Sequence, residues 1–384
     1  MTTWYPLEAK YNIEKPRKIL SLDGGGIRGV VSLEILKKLE DDLKIQHRGK
    51  DNFRLGDYFD LIGGTSTGAI IAAGLSIGMS VDELLEFYTN KGKAMFDKKF
   101  LLKRWKSLYN SGELLETLKD TFGRDTDLDI SNGKFKSLLT VVTMNRSTDS
   151  PWPISNNPFA KYNNRKRPDC NLNIKLYQLV RASTAAPVYF PPETLEWDSK
   201  DPEKTFSFVD GGVTPYNNPA FLLYRMATQP AYNLNWSTGE ENLLIVSIGT
   251  GSAISEGDYK NIIHSATQLP GNLMYSMNVD QDINCRTIGR CTFGAPIDRE
   301  MHDLIPMDNK GNISKEGNKT KKHFLYVRYN ADLSKNGLKK LGLENIKPEH
   351  VQKMDSVDFI KDLRIVGKEV AKNQVNLSHL KSFV

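Results

Sequence analysis

The stretch "LIGGTSTGAII", residues 61–71, sets Ser66 between Gly64 and Gly68 inside a run that carries no charged residue from Leu61 to Val81. Three readings compete: a membrane span, a glycine-rich ligand loop, or a nucleophile on a sharp turn. The length of the run suits a span. Its content does not, because it holds five glycines and several Ser and Thr residues. "YFDLIGG" before the serine reads as a short buried strand, and "TGAIIAAGLSIG" after it as a helix of small residues. A strand, a glycine turn and a helix belong to a packed α/β interior.

Working outward, "RKILSLDGGG" (17–26) is an apolar strand running into a glycine loop, and "VVSLEILKKLEDDLK" (30–44) has helical periodicity. A capping box, Ser80 to Glu83, opens the helix "DELLEFYTNKGKAMF". "ELLETLKDTFG" (113–123) predicts an amphipathic helix closed by Gly123, and "SLLTVVTM" (137–144) a strand. "IKLYQLVRASTAAP" (174–187) predicts a helix stopped by Pro187. "FSFVDGG" (206–212) reads as a strand into a turn, "NPAFLLYRM" (218–226) as a helix and "NLLIVSIGTG" (242–251) as a strand. Strands alternating with helices predict a mostly parallel sheet flanked by helices on both faces. Beyond about residue 255 the pattern is mainly helical, apart from the strand-like "HFLYVRYN" (323–330). The expected division is an N-terminal extension 1–16, an α/β domain 17–255 and a mainly helical C-terminal section 256–384 packed on it.

The 384 residues show no low-complexity tract and no internal repeat. The first residues, "MTTWYPLEAKYNIEKPRK", lack an apolar core, so a secretory signal is not expected. Cys170, Cys285 and Cys291 are scattered and odd in number, which argues against a disulfide framework or a zinc site and for a reducing cytoplasm. The excess of 52 basic over 46 acidic side chains is mild and identifies no partner.

Residues two away from a serine on a strand-to-helix turn must be small, and Gly64 and Gly68 are. The helix that follows points its N-terminal N–H groups toward developing negative charge. "DGGGIRG", Asp23 to Gly29, satisfies the dinucleotide-loop spacing G-x-G-x-x-G. That reading requires an acid at the end of the next strand. The acids in range, Glu40 to Asp42, fall within helical periodicity, and the next strand ends in Ile62-Gly63. The alternative use of Gly24, Gly25 and Gly26 is an oxyanion hole, in which each N–H donor is worth roughly 3 kcal/mol to an acyl-transfer transition state. Arg28 would support that loop or meet a lipid phosphate; its bland reading is a surface salt bridge. A serine nucleophile needs a base. None of His47, His264, His302, His323, His350 or His379 ends a clear strand, whereas Asp210 does, beside two glycines.

In this order the four blocks Asp23–Gly29, Gly64–Gly68, "ASTAAPVYFPP" (182–192) and Asp210-Gly211-Gly212 resemble those of the patatin-like phospholipases. The resemblance implies a three-layer patatin-like α/β fold and a Ser-Asp dyad. Carried over residue by residue, Ser66 attacks an ester carbonyl, Asp210 deprotonates it, Gly24 to Gly26 hold the oxyanion and Arg28 supports them. It implies hydrolysis of phospholipid or lysophospholipid acyl esters, or acyl transfer to an alcohol on the same machinery. A non-enzymatic lipid-binding or storage protein is the third reading, against which the intact Ser66 and Asp210 argue. No cofactor, no metal and no nucleic-acid partner is expected. The expected partner is a phospholipid membrane surface, met from the cytoplasm. Some bacterial-type members are antiviral effectors switched on by a cyclic nucleotide, which adds such an activator and a homo-oligomer to what the resemblance allows. Finally, "KGKAMFDKKFLLKRWK" (91–106) interleaves seven basic residues with aromatic and aliphatic ones. It reads as a core-packed helix and loop with a solvated basic face, as a membrane-surface segment, or as a site for an anionic activator.

Overall fold

The computed structural model describes residues 2–47, 52–96, 112–187, 190–198, 200–252, 262–298 and 300–384. Its frame is a nine-stranded sheet. The strands are β1 (Arg17–Leu22), β2 (Leu61–Thr65), β3 (Leu138–Asn145), β4 (Ser150–Ser155), β5 (Glu193–Glu196), β6 (Thr205–Asp210), β7 (Leu243–Ile248), β8 (Arg290–Phe293) and β9 (Leu325–Tyr329). They are ordered β5-β6-β3-β2-β1-β7-β9-β8, with β4 also paired to β3.

From β3 through to β8 the pairing is parallel, as the alternation of strands and helices predicts. β4, β5 and β6 depart from it and run antiparallel at one end of the sheet. The connection from β3 to β4 is only residues 146–149, too short for a crossover, and Asn145 Oδ1 closes it by accepting the Ser147 and Thr148 N–H groups. β4 reads poorly from sequence because it contains Pro151 and Pro153. Proline is tolerated there because, among the described residues, β4 pairs with β3 alone and leaves its outer side open.

Helices cover both faces. On one lie α1 (Gly29–Gln46), α2 (Thr67–Ser76), α3 (Val81–Phe96), α4 (Gly112–Phe122), α5 (Leu176–Ser183) and, from the C-terminal section, α8 (Ile360–Gln374). On the other lie α6 (Ala220–Thr228) and α7 (Ile262–Ile288), whose Leu223, Tyr224 and Cys285 pack against Ile19, Ile245 and Tyr326. Alternation along the central strands feeds both layers: Leu20, Val246 and Val327 point to the first face, Ile19, Ile245 and Tyr326 to the second. Every residue of α2 is buried, which accounts for its uncharged composition. Among the described residues no helix is long and apolar enough to cross a membrane.

The Ser80–Glu83 capping box forms as read: Glu83 N–H donates to Ser80 Oγ at 3.2 Å, and Ser80 N–H to Glu83 Oε2 at 2.7 Å. α5 ends at Ser183, four residues before Pro187. Thr184 Oγ1 turns back to the Val180 and Arg181 carbonyls, and Ser183 Oγ is committed to the Val142 carbonyl of β3, so side-chain bonds stop the helix first. The boundary expected at residue 255 falls inside the sheet, since β8 and β9 lie beyond it. In the basic run 91–106, α3 continues to Phe96, and 97–106 lies outside the described residues.

Candidate active site

The turn at Ser66 has φ 56° and ψ −122°, a conformation that L-residues rarely adopt. It is held from three sides. A Cβ on Gly64 would stand 2.1 Å from the Gly68 carbonyl oxygen, and one on Gly68 2.3 Å from that of Leu22, so α2 can leave β2 at this angle only with glycine at both places. The Ser66 N–H donates to Ser183 Oγ at 2.9 Å, and Ser183 Oγ donates to the Val142 carbonyl at 2.7 Å. α5 thereby ties the turn to β3.

Sheet register brings Asp210 to this turn. Thr65 stands opposite Val142 on β3, and Asp210 stands opposite the next residue, Thr143. Val142 and Thr143 both pair with β4 on their other side, at Pro153 and Trp152. So β2 and β6 share one edge of β3, run in opposite directions, and meet at their C-terminal ends. The antiparallel strand that alternation does not predict is the one that delivers the carboxylate. Ser66 Oγ donates to Asp210 Oδ2 at 2.5 Å, and Asp210 Oδ1 accepts the Gly212 N–H at 2.7 Å.

Asp210 is 5% exposed. Burial pushes its carboxyl up to about 6, against the pull of the Ser66 hydroxyl, the Gly212 N–H and the Arg181 guanidinium. Arg181 is itself buried, reaches toward Glu193 at 3.9 Å and lies 4.8 Å over the Phe190 ring. It is the cation of this site that sequence reading missed; its only signal is a charged residue on the buried face of an amphipathic helix.

Ser66 and Asp210 open on a cavity of about 410 Å3 lined by Gly25, Gly26, Phe96, Phe190 and Met277, among others. Val213 and Leu273 at its rim are 49% and 53% exposed. Of the three glycines expected to hold an oxyanion, Gly24 differs. Its N–H donates to the Asn217 carbonyl at 3.0 Å, whereas those of Gly25 and Gly26 meet no acceptor among the described residues. A Cβ on Gly25 would strike Thr250 Oγ1 at 2.1 Å, and Gly26 sits at φ 61° against the Met354 carbonyl. Arg28 does not line the cavity. Its Nη1 donates to the Gln352 carbonyl at 3.2 Å, and its Nε lies 3.4 Å from the Gly25 carbonyl, the loop-supporting alternative.

A family model described as Patatin, patatin-like phospholipase, matches residues 20–224, just over half of the chain. The chain belongs to this family. The match to this patatin-like region takes in Gly24 to Gly26, Arg28, Ser66 and Asp210, and stops before β7. Among curated relatives, Patatin-2-Kuras 1 of Solanum tuberosum is 30% identical over 253 residues, 61% of this chain and 62% of its own length. Patatin group M-2 of the same plant is 31% identical over 259 residues, 62% of each. The chain thus spans less than two thirds of the patatins it matches. Among solved structures, VipD from Legionella pneumophila superposes with a TM-score of 0.34 at 15% identity, over 91% of this chain and 67% of that one.

The described histidines of this patatin-like chain sit elsewhere. His323 pairs with Tyr224, His379 with Tyr329 and His350 with Asp362, and no histidine is among the cavity-lining residues described. Among the described residues no group of acidic, His and Cys side chains could hold a metal ion.

Proposed function

We propose that the protein is a serine acyl hydrolase that cleaves acyl esters of phospholipid or lysophospholipid through a Ser66–Asp210 dyad. The observation that carries this reading is the 2.5 Å hydrogen bond from Ser66 Oγ to a buried carboxylate whose affinity for protons is raised. An ordinary aspartate is too weak a base for a serine hydroxyl; one brought to about 6 is closer to the working range.

Ser66 Oγ gives its proton to Asp210 Oδ2 as it bonds to the ester carbonyl carbon. The carbonyl oxygen takes up negative charge and is met by the Gly25 and Gly26 N–H groups, with the N-terminus of α2 behind the serine. Collapse breaks the bond to the leaving alcohol, which takes the proton from Asp210. Water then repeats the sequence on the acyl-enzyme and regenerates Ser66. Phe96, Phe190 and the methionines of the cavity supply an apolar wall for an acyl chain. The exposed Val213 and Leu273 at its mouth suit contact with a phospholipid surface.

The test is incubation with a mixed phospholipid extract and mass spectrometry of the products, beside labelling by a fluorophosphonate probe. Free fatty acid and lysolipid from the wild type, with both product and label lost in Ser66→Ala, are expected. Acyl groups recovered on an added alcohol in place of water would make it an acyltransferase. Turnover that survives Ser66→Ala would overturn the reading.

A further inference from the structure

The chain beyond the family match supplies the cation of the ion pair at the root of the glycine loop. In register, Ser21 of β1 stands opposite Ser247 of β7, and Ser247 opposite Arg328 of β9. The three form one polar row on a sheet face otherwise built from Ile19, Leu243, Ile245 and Tyr326. Arg328 donates Nη1 to Asp23 Oδ1 at 2.8 Å and to Ser247 Oγ at 2.7 Å, and Nη2 to Asp23 Oδ2 at 2.5 Å. Asp23 and Arg328 are 2% and 5% exposed.

Such a pair is a poor device for stability. Both charges lose their water, and well-packed apolar residues of similar volume commonly serve as well or better. Its geometry serves another end. Asp23 is the last residue before Gly24, Gly25 and Gly26, which have no side chains by which to be held. The loop is aimed through its own backbone, where the Gly24 carbonyl accepts from Thr250 Oγ1 at 2.9 Å and the Gly24 N–H donates to the Asn217 carbonyl, and through its ends. At the far end Ile27 N–H donates to the Met354 carbonyl at 2.9 Å. At the near end the two-pronged Arg328 contact fixes the Asp23 side chain, while the Asp23 N–H donates to the Ile248 carbonyl at 3.1 Å.

We propose that Arg328 is a positioning residue that acts through Asp23 to aim the Gly25 and Gly26 N–H groups at the oxyanion. The proposal rests on the acyl-hydrolase reading above. It places part of the control of the catalytic loop in β9, more than a hundred residues past the last residue of the family match.

The full-length protein is assayed on p-nitrophenyl butyrate and on the matching thionoester, whose sulfur accepts hydrogen bonds poorly. Arg328→Lys keeps the charge and loses the planar fork. Misplacing a donor by a fraction of a bond length lowers turnover by roughly ten- to a hundredfold. Arg328→Lys is therefore expected to lower kcat on the ester by that factor, with KM within about twofold. The ratio of ester to thionoester rates should narrow, and the pH midpoint of kcat/KM should stay put because Asp210 is untouched. Ser247→Ala removes one anchor of Arg328 and leaves the ion pair in place. It should move the same ratio in the same direction by less, and it decides the matter if Arg328→Lys does not fold. Wild-type kcat in the folded variants would overturn the proposal. So would a lost kcat with an unchanged ester-to-thionoester ratio, which marks a structural role alone. Ester turnover that persists in Ser66→Ala would instead overturn the acyl-hydrolase reading, and the proposal with it.

Discussion

At the scale of single residues, Ser66 combines two demands that conflict. The hydroxyl is needed, and the backbone that presents it, at φ 56°, disfavours any residue with a Cβ. Ser66→Ala and Ser66→Gly should both abolish turnover, yet differ in stability. Glycine relieves the strain and alanine does not, so the glycine variant should be the more stable by about 1 kcal/mol, read from thermal or urea unfolding. Asp210 carries a second conflict. Its value in the fold, about 6, lies above the ordinary carboxylate value of 3.8, so the folded protein binds this proton more tightly than the unfolded chain does. Ionised Asp210 therefore weakens the fold by up to about 3 kcal/mol above pH 6, and the penalty fades as pH falls toward 3.8. Asp210→Asn should lose activity while unfolding at a higher temperature than wild type at pH 8, with the gap closing by pH 4. In the wild type, kcat/KM should fall as pH drops through about 6, where the base becomes protonated. The positions of Ser66 and Asp210 were legible in sequence because strain and turns leave small residues behind: two glycines beside Ser66 and two after Asp210. Arg328 was not legible, because a lone Arg in a strand gives no local sign of a partner 305 residues away.

At the scale of elements, the site depends on how closely α2 lies against β1. A methyl group on Gly68 would meet the Leu22 carbonyl oxygen at 2.3 Å and that of Asp23 at 2.7 Å, both backbone atoms unable to swing aside. Gly68→Ala must push the start of α2 away from the strand that carries the glycine loop. The expected cost is about 1–3 kcal/mol of stability, with a fall in kcat larger than the loss of folded protein explains. Circular dichroism and active-site titration of the soluble variant separate the two effects. The helices of the first two thirds and the parallel strands other than β8 could be read in advance because their apolar residues repeat at the proper periods. β4 and β5 could not, since prolines interrupt the first and the second is a four-residue partner of β6. The same blindness hid the direction of β6, which periodicity leaves undetermined.

At the scale of the whole molecule, the chain past residue 255 looked like an attachment because its helices carry no motif. Two of its strands and two of its helices, α7 and α8, are structural members of the first part. β9 pairs with all but the first residue of β7, from Leu244 to Ile248, and β8 closes that end of the sheet. α8 lays Leu363, Val366 and Val370 against α1, where Gly367 passes so close that an added methyl would touch Glu34 Cβ at 2.8 Å. Removing residues 256–384 would bare β7, six residues that are all buried, as an apolar edge open to pairing with other chains. It would also uncover the apolar stripe of α1 and leave Asp23 buried without Arg328, an uncompensated charge that costs about 3–5 kcal/mol in comparable sites. Each of these losses approaches a sizeable share of the 5–15 kcal/mol typical of a folded domain. The fragment 17–255, although it contains Ser66, Asp210 and the glycine loop, is therefore expected to aggregate or to elute as large assemblies in gel filtration. The full chain should be soluble under the same conditions. A monomeric fragment with a cooperative melt and a fluorophosphonate-reactive serine would show instead that the α/β unit closes its own edge, and that β8, β9 and α8 are secondary to it.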